Sequence, residues 1–215
     1  MSSEVSIEAS DGLTLVGDFI VPDGLEGDAP AVLLLHMLGS NRSAYEPLLP
    51  YLADAGFIVL NVDMRGHGAT GGAKDWNLTE DDTQLWLDWL REQDGVDGAR
   101  VAIIGASIGS NMALIACAND EACVTAVALS PGTDYRGVMP GDAVKSGISA
   151  LLIASHGDSY AADSIREFFA AGTGYLAARM YEGSAHGTNL FQNSLDSVGN
   201  AIISWLDEQF ADVEE

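Results

Sequence analysis

The segment Val101-Ala-Ile-Ile-Gly-Ala-Ser-Ile-Gly-Ser-Asn-Met-Ala-Leu-Ile-Ala-Cys-Ala118 combines a strand pattern, a glycine-flanked serine and a helix pattern. Val101–Ile104 is a short apolar run typical of a strand buried on both faces, and Ser107–Ala118 has the pattern of a helix. At the turn between them lies the Gly-x-Ser-x-Gly motif Gly105-Ala-Ser-Ile-Gly109. Such a turn strains the backbone of its middle residue, and the glycines remove side chains that would collide there. The motif predicts a nucleophile elbow that presents the Ser107 hydroxyl beside a helix N-terminus.

The rest of the chain repeats the alternation of strand and helix patterns. Glu4–Ser10 and Leu13–Val21 alternate apolar and polar residues around Asp11-Gly12, which predicts a β-hairpin. Apolar runs predict further strands at Ala31–Leu35, Phe57–Val62, Val101–Ile104, Val124–Leu129, Ala150–Ile153 and, more weakly, Leu176–Tyr181. Helical patterns occupy Ala44–Ala55, Thr79–Gln93, Ser107–Ala118, Ala162–Ala171 and Asn189–Phe210. This order predicts an α/β fold in which a mostly parallel sheet carries helices on both faces.

The composition is that of a globular protein with an unusual charge. The chain has 215 residues, 47% of them hydrophobic, and no linker or repeat divides it, so we expect a single domain spanning residues 1–215. Its 9 basic and 32 acidic side chains give a formal net charge of −23. Such a field disfavours nucleic acid and anionic membranes as partners. Because salt screens repulsion among carboxylates, one hypothesis is adaptation to high salt; the alternative is an ordinary acidic protein.

Localisation and cysteine chemistry follow from a few further features. The longest apolar runs fall short of the roughly 20 residues that span a bilayer, and the N-terminus lacks the basic and apolar regions of a secretory signal. We therefore expect a cytoplasmic protein.

Cys117 and Cys123 match no metal or redox spacing, and we expect two buried thiols rather than a short-loop disulfide.

A serine nucleophile needs a histidine base, and the base needs an orienting carboxylate. The Gly-x-Ser-x-Gly elbow goes with a chain order of serine, then acid, then histidine. The four histidines are at positions 36, 67, 156 and 186, and only His186 leaves room for an acid between itself and Ser107 at the end of an intervening strand. The acid candidates are Asp158, which follows the strand before His186, and also Asp134 and Asp163. We favour Asp158. His156, Asp158 and His186 could in principle ligate a metal, but their spacing matches no metal motif, and we expect neither metal nor cofactor.

Five markers in the same order resemble the α/β-hydrolase superfamily, in particular its small esterase and dienelactone-hydrolase-like members. They are His36-Met-Leu-Gly39, Asp63-Met-Arg-Gly-His-Gly68, the Gly105–Gly109 elbow, the loop at Asp158 and the loop at His186. The resemblance covers essentially the whole chain. It implies eight strands in the order 1-2-4-3-5-6-7-8 with strand 2 antiparallel, and it implies that Arg65 and His67 brace a turn.

The resemblance also implies an oxyanion hole made of two backbone N–H groups. One belongs to Ile108, the residue after the nucleophile, and the other best matches Leu38, with Met37 as the other candidate. The family usually has glycine where this chain has Met37. Dienelactone hydrolases carry cysteine at the nucleophile position, whereas this chain has Ser107, so the resemblance favours an esterase.

About 20 residues separate the sixth and seventh strands, which is too few for the helical lid that many such hydrolases insert there. An open site favours short-chain carboxylic esters, and we expect a serine carboxylesterase that acts as a monomer or homodimer on a small-molecule ester. The alternatives are a peptidase, amidase or thioesterase with the same triad, or a binding protein that has lost catalysis.

Overall fold

The predicted hairpin and the apolar runs form one eight-stranded sheet in the computed structural model, which describes residues 1–211 and 213. The strands are β1 (Ser2–Glu8), β2 (Thr14–Ile20), β3 (Ala29–Leu35), β4 (Ile58–Asp63), β5 (Val96–Ala106), β6 (Cys123–Leu129), β7 (Ala150–Ser155) and β8 (Leu176–Tyr181). Their spatial order is β1-β2-β4-β3-β5-β6-β7-β8. Only β2 runs antiparallel to its neighbours, β1 and β4. The order and the strand directions implied by the resemblance are confirmed.

Helices cover both faces of this sheet. They are α1 (Leu49–Asp54), α2 (Trp76–Arg91), α3 (Ile108–Ala118), α4 (Gly141–Lys145), α5 (Ser159–Ala171) and α6 (Phe191–Ala211), which is kinked at Ser194. Short 3-10 turns lie at Arg42–Tyr45 and Gly187–Leu190. None of the helices in the described part of the chain is long and apolar enough to cross a membrane.

Several helix boundaries differ from the predicted ones, and local interactions explain the largest differences. α2 begins three residues earlier than expected because the Asp75 side chain caps it, accepting from the N–H groups of Asn77 and Leu78. The single helix expected over Ala44–Ala55 is instead a 3-10 turn and the shorter α1, which begins with a proline at its second position.

Two apolar cores lie on opposite faces of the sheet. In β3, Leu33 and Leu35 belong to the core that includes residues of α2, α3 and α5, whereas Val32 and Leu34 belong to the core that includes residues of α1 and α6. Because successive side chains of a strand point to opposite faces, a continuous apolar run is what a doubly covered strand requires. The result is a three-layer α/β/α architecture. In the described chain the segment between β6 and β7 contains only the five-residue α4, and no helical lid is present.

The expectation of two free thiols is wrong. Cys117 near the end of α3 and Cys123 at the start of β6 form a disulfide. The turn from helix to strand brings their Cα atoms to 5.1 Å, within the range that a disulfide requires. The bond therefore fastens the C-terminal end of α3, the helix that begins directly after Ser107, to the neighbouring strand.

Candidate active site

Ser107 occupies a sharp turn between β5 and α3. Its φ of 54° is in the left-handed region, which is strained for a residue with a side chain. The flanking glycines are required sterically: a Cβ on Gly105 would lie 2.0 Å from the Gly109 carbonyl oxygen, and a Cβ on Gly109 would lie 2.4 Å from the Leu35 carbonyl oxygen. The elbow therefore depends on glycine at both positions.

Three predicted residues from three separate loops meet at the carboxyl edge of the sheet. His186 Nδ1 lies 2.7 Å from Asp158 Oδ2, and His186 Nε2 lies 2.8 Å from Ser107 Oγ. With a proton on Nδ1 donated to Asp158, Nε2 is an acceptor for the Ser107 hydroxyl. The Ser107 residue is 7% exposed and the His186 side chain 35% exposed, so a small molecule can reach the reactive atoms from solvent. This arrangement can deprotonate a serine hydroxyl.

The other acid and histidine candidates lie elsewhere. Asp134 Oδ1 accepts from the N–H of Gly137 in its own loop, and Asp163 pairs with Arg166 on the exposed side of α5. His156 is exposed beside the site and has no role in this hydrogen-bond chain. Within residues 1–211 and 213 there is no group of three or more His, Cys, Asp or Glu side chains that could hold a metal ion.

The loop after β3 lies directly beside the start of α3. Ile108 is the first residue of α3, where backbone N–H groups have no carbonyl partner within the helix. The Met37 carbonyl accepts from His36 Nδ1 at 2.9 Å and from the Ser40 N–H at 3.2 Å. In a trans peptide the next N–H points the opposite way, so these two bonds fix the direction of the Leu38 N–H. The Met37 side chain lies instead against the His186 loop, where its sulfur accepts from Thr188.

His36 and His67 shape the loops around the site. His36 is fully buried, and its Nε2 accepts from the Met64 N–H at 3.0 Å while Nδ1 donates to Met37. Burial lowers the pKa of His36 to about 4, so the side chain is neutral at pH 7. The ring of His67 packs edge-on against it, with 4.9 Å between the centroids.

Arg65 braces the turn that the resemblance assigned to it. Its guanidinium group, 3% exposed, bonds both carboxylate oxygens of Asp82 in α2 at 2.8 Å and also pairs with Asp11 in the β1–β2 turn. The carbonyl of Arg65 interacts with Nδ1 of His67 at 3.0 Å. These contacts join the loop after β4 to the first hairpin and to α2.

Two residues near the triad were missed by sequence reasoning. Ser130 directly follows β6; it has a φ of 53°, is fully buried, and its Oγ accepts from the Gly187 N–H at 2.9 Å. Tyr135 donates its hydroxyl to the Ser130 carbonyl at 3.1 Å, and its ring centroid lies 6.1 Å from that of His186. Burial raises the pKa of Tyr135, the nearby Asp158 adds to the rise, and the Ser107 side chain opposes it. The sequence feature that could have identified Ser130 and Tyr135 is their position after β6, which ends at the same edge of the sheet as the strands before Ser107, Asp158 and His186.

A shallow cleft lies between the loop after β3 and the segment that follows His186. Its volume is about 350 Å³, and its lining includes Met37, Ser40, Thr188, Asn189, Phe191 and Gln192. Met37 lies in the loop after β3, and Thr188 lies two residues after His186. Ser107, Asp158 and His186 are not among the residues that line this cleft.

The family model for the α/β hydrolase fold matches residues 30–179 of the chain. Among curated proteins, the uncharacterized protein YfhR of Escherichia coli O157:H7 is 29% identical over 184 residues, which are 85% of this chain and 56% of that protein. Esterase FrsA of Yersinia enterocolitica is 33% identical over 115 residues, 52% of this chain and 27% of that protein. The chain thus spans about half the length, or less, of these curated relatives.

Among solved structures, the esterase Pf2001 of Pyrococcus furiosus superposes with a TM-score of 0.84. The match covers 98% of this chain and 91% of the esterase, at 19% sequence identity. At this identity the likeness extends to the fold alone, which agrees with the strand order described above.

Proposed function

The chain belongs to the α/β-hydrolase fold family, and we propose that within this family it is a serine carboxylesterase that cleaves short-chain esters without a cofactor. The observation that carries the proposal is the continuous chain of hydrogen-bond distances from Asp158 through His186 to Ser107. Three groups brought together from three loops in the order that serine catalysis needs are hard to explain by stability alone.

In the first half of the proposed reaction, Ser107 Oγ attacks the ester carbonyl carbon while His186 Nε2 takes the hydroxyl proton. Asp158 holds the imidazole in the required tautomer and stabilises the imidazolium that forms. The C–O bond to the alcohol then breaks, and His186 returns its proton to the departing oxygen. The products of this half are a free alcohol and an acyl group on Ser107.

In the second half, a water molecule takes the place of the alcohol. His186 removes a proton from this water, whose oxygen attacks the acyl carbonyl, and the proton passes to Ser107 Oγ as the carboxylic acid leaves. Both halves pass through a tetrahedral oxyanion. The proposed donors to that oxyanion are the N–H groups of Ile108 and Leu38, and one such donor contributes roughly 2.7–4 kcal/mol of transition-state stabilisation.

The preference for short esters is proposed from the shape of the site. The segment 130–149 between β6 and β7 adds only the five-residue α4, so it supplies no helical cover for the site. A long acyl chain would lie mostly in water and gain little from burial. A short acyl chain has little apolar surface to bury, so its binding does not depend on such cover.

The test is hydrolysis of p-nitrophenyl esters from acetate to palmitate by the wild type and by Ser107→Ala. The proposal predicts turnover that is highest for the short acyl chains and absent from the variant. Lys145→Ala, which changes a solvent-exposed side chain of α4, is the control and should retain the wild-type rate. Equal rates on acetate and palmitate would refute the chain-length preference. Absence of turnover by the wild type would favour amide, thioester or binding functions.

A further inference from the structure

Two tyrosines stand beside the triad on one side. The rings of Tyr135 and Tyr160 pack edge to face with centroids 5.5 Å apart, and the Tyr135 ring packs edge to face on His186 at 6.1 Å. Tyr135 is partly buried, whereas Tyr160 is 44% exposed. The pair therefore forms a continuous aromatic surface that runs from the imidazole to solvent.

The strand order fixes which side of Ser107 this surface occupies. β5, which ends at the nucleophile, lies between β3 and β6 in the sheet. The loop after β3 carries Leu38, and the loop after β6 carries Tyr135. The tyrosines consequently lie on the side of Ser107 opposite Leu38, one of the two proposed oxyanion donors.

The hydroxyl groups of both tyrosines are already used within the protein. Tyr135 donates to the Ser130 carbonyl, while the Tyr160 hydroxyl accepts from the Asp134 N–H and donates to the Asp134 carbonyl, both at 2.8 Å. What remains for a ligand is chiefly ring surface. Ring surface binds other rings through edge-to-face and stacked contacts, and it offers less to a polar group.

The loop that carries Tyr135 is held rigidly. Asn111 in α3 donates to the carbonyls of Gly132 and Val138, both at 2.8 Å, and accepts from the Gly132 N–H at 3.0 Å. A Cβ on Gly132 would lie 2.7 Å from atoms of both tyrosine rings, so glycine is what allows the rings to pack over this peptide. The aromatic surface is thus formed before any ligand arrives, which lowers the entropic cost of binding.

Backbone strain is concentrated in the same loop. Ser130 and Arg136 have φ values of 53° and 56°, and in the described chain Ser107 is the only other residue besides glycines with a positive φ. Strained residues persist where surrounding contacts enforce them, and they cluster at active sites and ligand clamps. Its strained residues therefore favour a ligand-binding role for this loop in addition to its role in connecting β6 to α4.

We propose that Tyr135 and Tyr160 form an aromatic wall that binds a planar ring carried by the ester substrate. This inference rests on the proposed esterase function and narrows its substrates to short esters that bear an aromatic group. The ring can belong to the acyl part or to the alcohol part. In both cases it packs against the wall while the carbonyl group lies at Ser107.

The test compares aromatic esters with saturated counterparts of similar shape. Methyl phenylacetate against methyl cyclohexylacetate places the ring in the acyl part, and benzyl acetate against cyclohexylmethyl acetate places it in the alcohol part. For one of these pairs we expect kcat/KM to favour the aromatic ester by about 3- to 10-fold, the factor that an aromatic pair contributes beyond area burial. The pair with the larger ratio identifies the part that meets the wall.

Variants separate the ring from the hydroxyl. Tyr160→Phe should keep the aromatic preference, Tyr160→Leu should bring the ratio close to one, and Tyr175→Leu is the control. Tyr175 is also exposed, at 56%, but it precedes β8 at the opposite edge of the sheet. Ratios near one for both ester pairs in the wild type, or an unchanged ratio in Tyr160→Leu, would overturn the aromatic wall.

Binding to Ser107→Ala, measured by NMR titration of the same four esters, tests the wall independently of turnover. Tighter binding of an aromatic ester, weakened in the double variant with Tyr160→Leu, supports the wall even if the wild type hydrolyses no ester. Equal binding of aromatic and cyclohexyl esters refutes it even if hydrolysis occurs. Failure of the esterase proposal and failure of the wall are therefore distinguishable.

Discussion

The Oγ of Ser130 accepts a 2.9 Å hydrogen bond from the backbone N–H of Gly187, the residue next to His186. Gly187 has a φ of 57° and is buried. Ser130 therefore connects the end of β6 to the loop that carries the proposed catalytic base. Its backbone carbonyl also accepts a hydrogen bond from the Tyr135 hydroxyl, so Ser130 contacts both the loop of the proposed base and the proposed aromatic wall.

Ser130→Ala should lower kcat on p-nitrophenyl acetate by about 10- to 100-fold, since small displacements of a catalytic group have effects of that order. The variant leaves the buried Gly187 N–H without its partner, which should also cost about 1–3 kcal/mol of unfolding free energy. Thr125→Ala is the matched control. It removes a hydroxyl within β6 that accepts from Trp205 Nε1 far from the site. An unchanged kcat in folded Ser130→Ala would refute the positioning role.

Asp158→Asn should reduce kcat by about 10³- to 10⁴-fold, because the amide no longer favours the tautomer in which Nε2 accepts the serine proton. The comparison is Asp163→Asn, which alters the rival acid candidate that pairs with Arg166 on the surface. We expect this second variant to stay within twofold of the wild type. Steady-state kinetics on one short ester decides between the two carboxylates, and a large loss in Asp163→Asn alone would reverse the assignment.

Gly109→Ala should destabilise the protein by about 3 kcal/mol or more, because the new methyl group would lie 2.4–2.5 Å from the carbonyl oxygens of Leu35 and His36. Gly141→Ala is the control, since a Cβ there meets nothing within 4 Å. Urea denaturation of the two variants measures the difference. Similar midpoints for both would show that the elbow can rearrange at little cost.

The burial of His36 predicts a loss of stability in mild acid. Its pKa falls from the ordinary histidine value of 6.5 to about 4 in the folded protein, so the unfolded chain takes up this proton first. The contribution is present at pH 7 and is lost as the pH falls toward 4. Between pH 7 and pH 5 it amounts to about 2 kcal/mol.

The measurement is the unfolding free energy of the wild type and His36→Gln at pH 7 and pH 5. Glutamine does not titrate, so the wild type should lose about 2 kcal/mol more than the variant over this interval. Comparison of the two proteins cancels the titration of the acidic side chains, which is common to both. Equal losses would mean that His36 does not remain neutral in the folded state.

The net charge of −23 predicts that salt stabilises the protein. The screening length falls from roughly 30 Å at 0.01 M to 3 Å at 1 M, which removes most repulsion between exposed carboxylates. We expect the melting temperature to rise by about 5 °C or more from 0.01 to 2 M KCl. An equimolar sucrose series serves as the control for general exclusion effects. A flat or falling melting temperature would contradict adaptation to high salt.

Much of the fold was accessible from the sequence because it depends on local patterns. The continuous apolar runs of β3 and β6 predict doubly covered strands, and Gly105 and Gly109 predict the elbow between β5 and α3. The three triad candidates were also identifiable, since residues that follow parallel strands share one sheet edge. Their distances nevertheless come only from the structure.

Features that depend on loop conformation were not accessible. Nothing in the sequence indicates that Ser130 adopts a positive φ and turns its hydroxyl toward Gly187, a residue 57 positions away. The Cys117–Cys123 bond was missed because it depends on how tightly a helix end turns into the next strand. In both cases the outcome depends on the backbone conformation of a loop or turn, which the residue types in that segment do not determine.

The most direct test of the central claim is intact-protein mass spectrometry after treatment with a fluorophosphonate, which labels a serine only when a neighbouring base activates it. We predict one adduct per chain, located on Ser107 by peptide mapping, no adduct in Ser107→Ala and much slower labelling in His186→Ala. Wild-type protein that remains unlabelled, or that is labelled equally fast without His186, would contradict the claim that Ser107, His186 and Asp158 act as a catalytic triad.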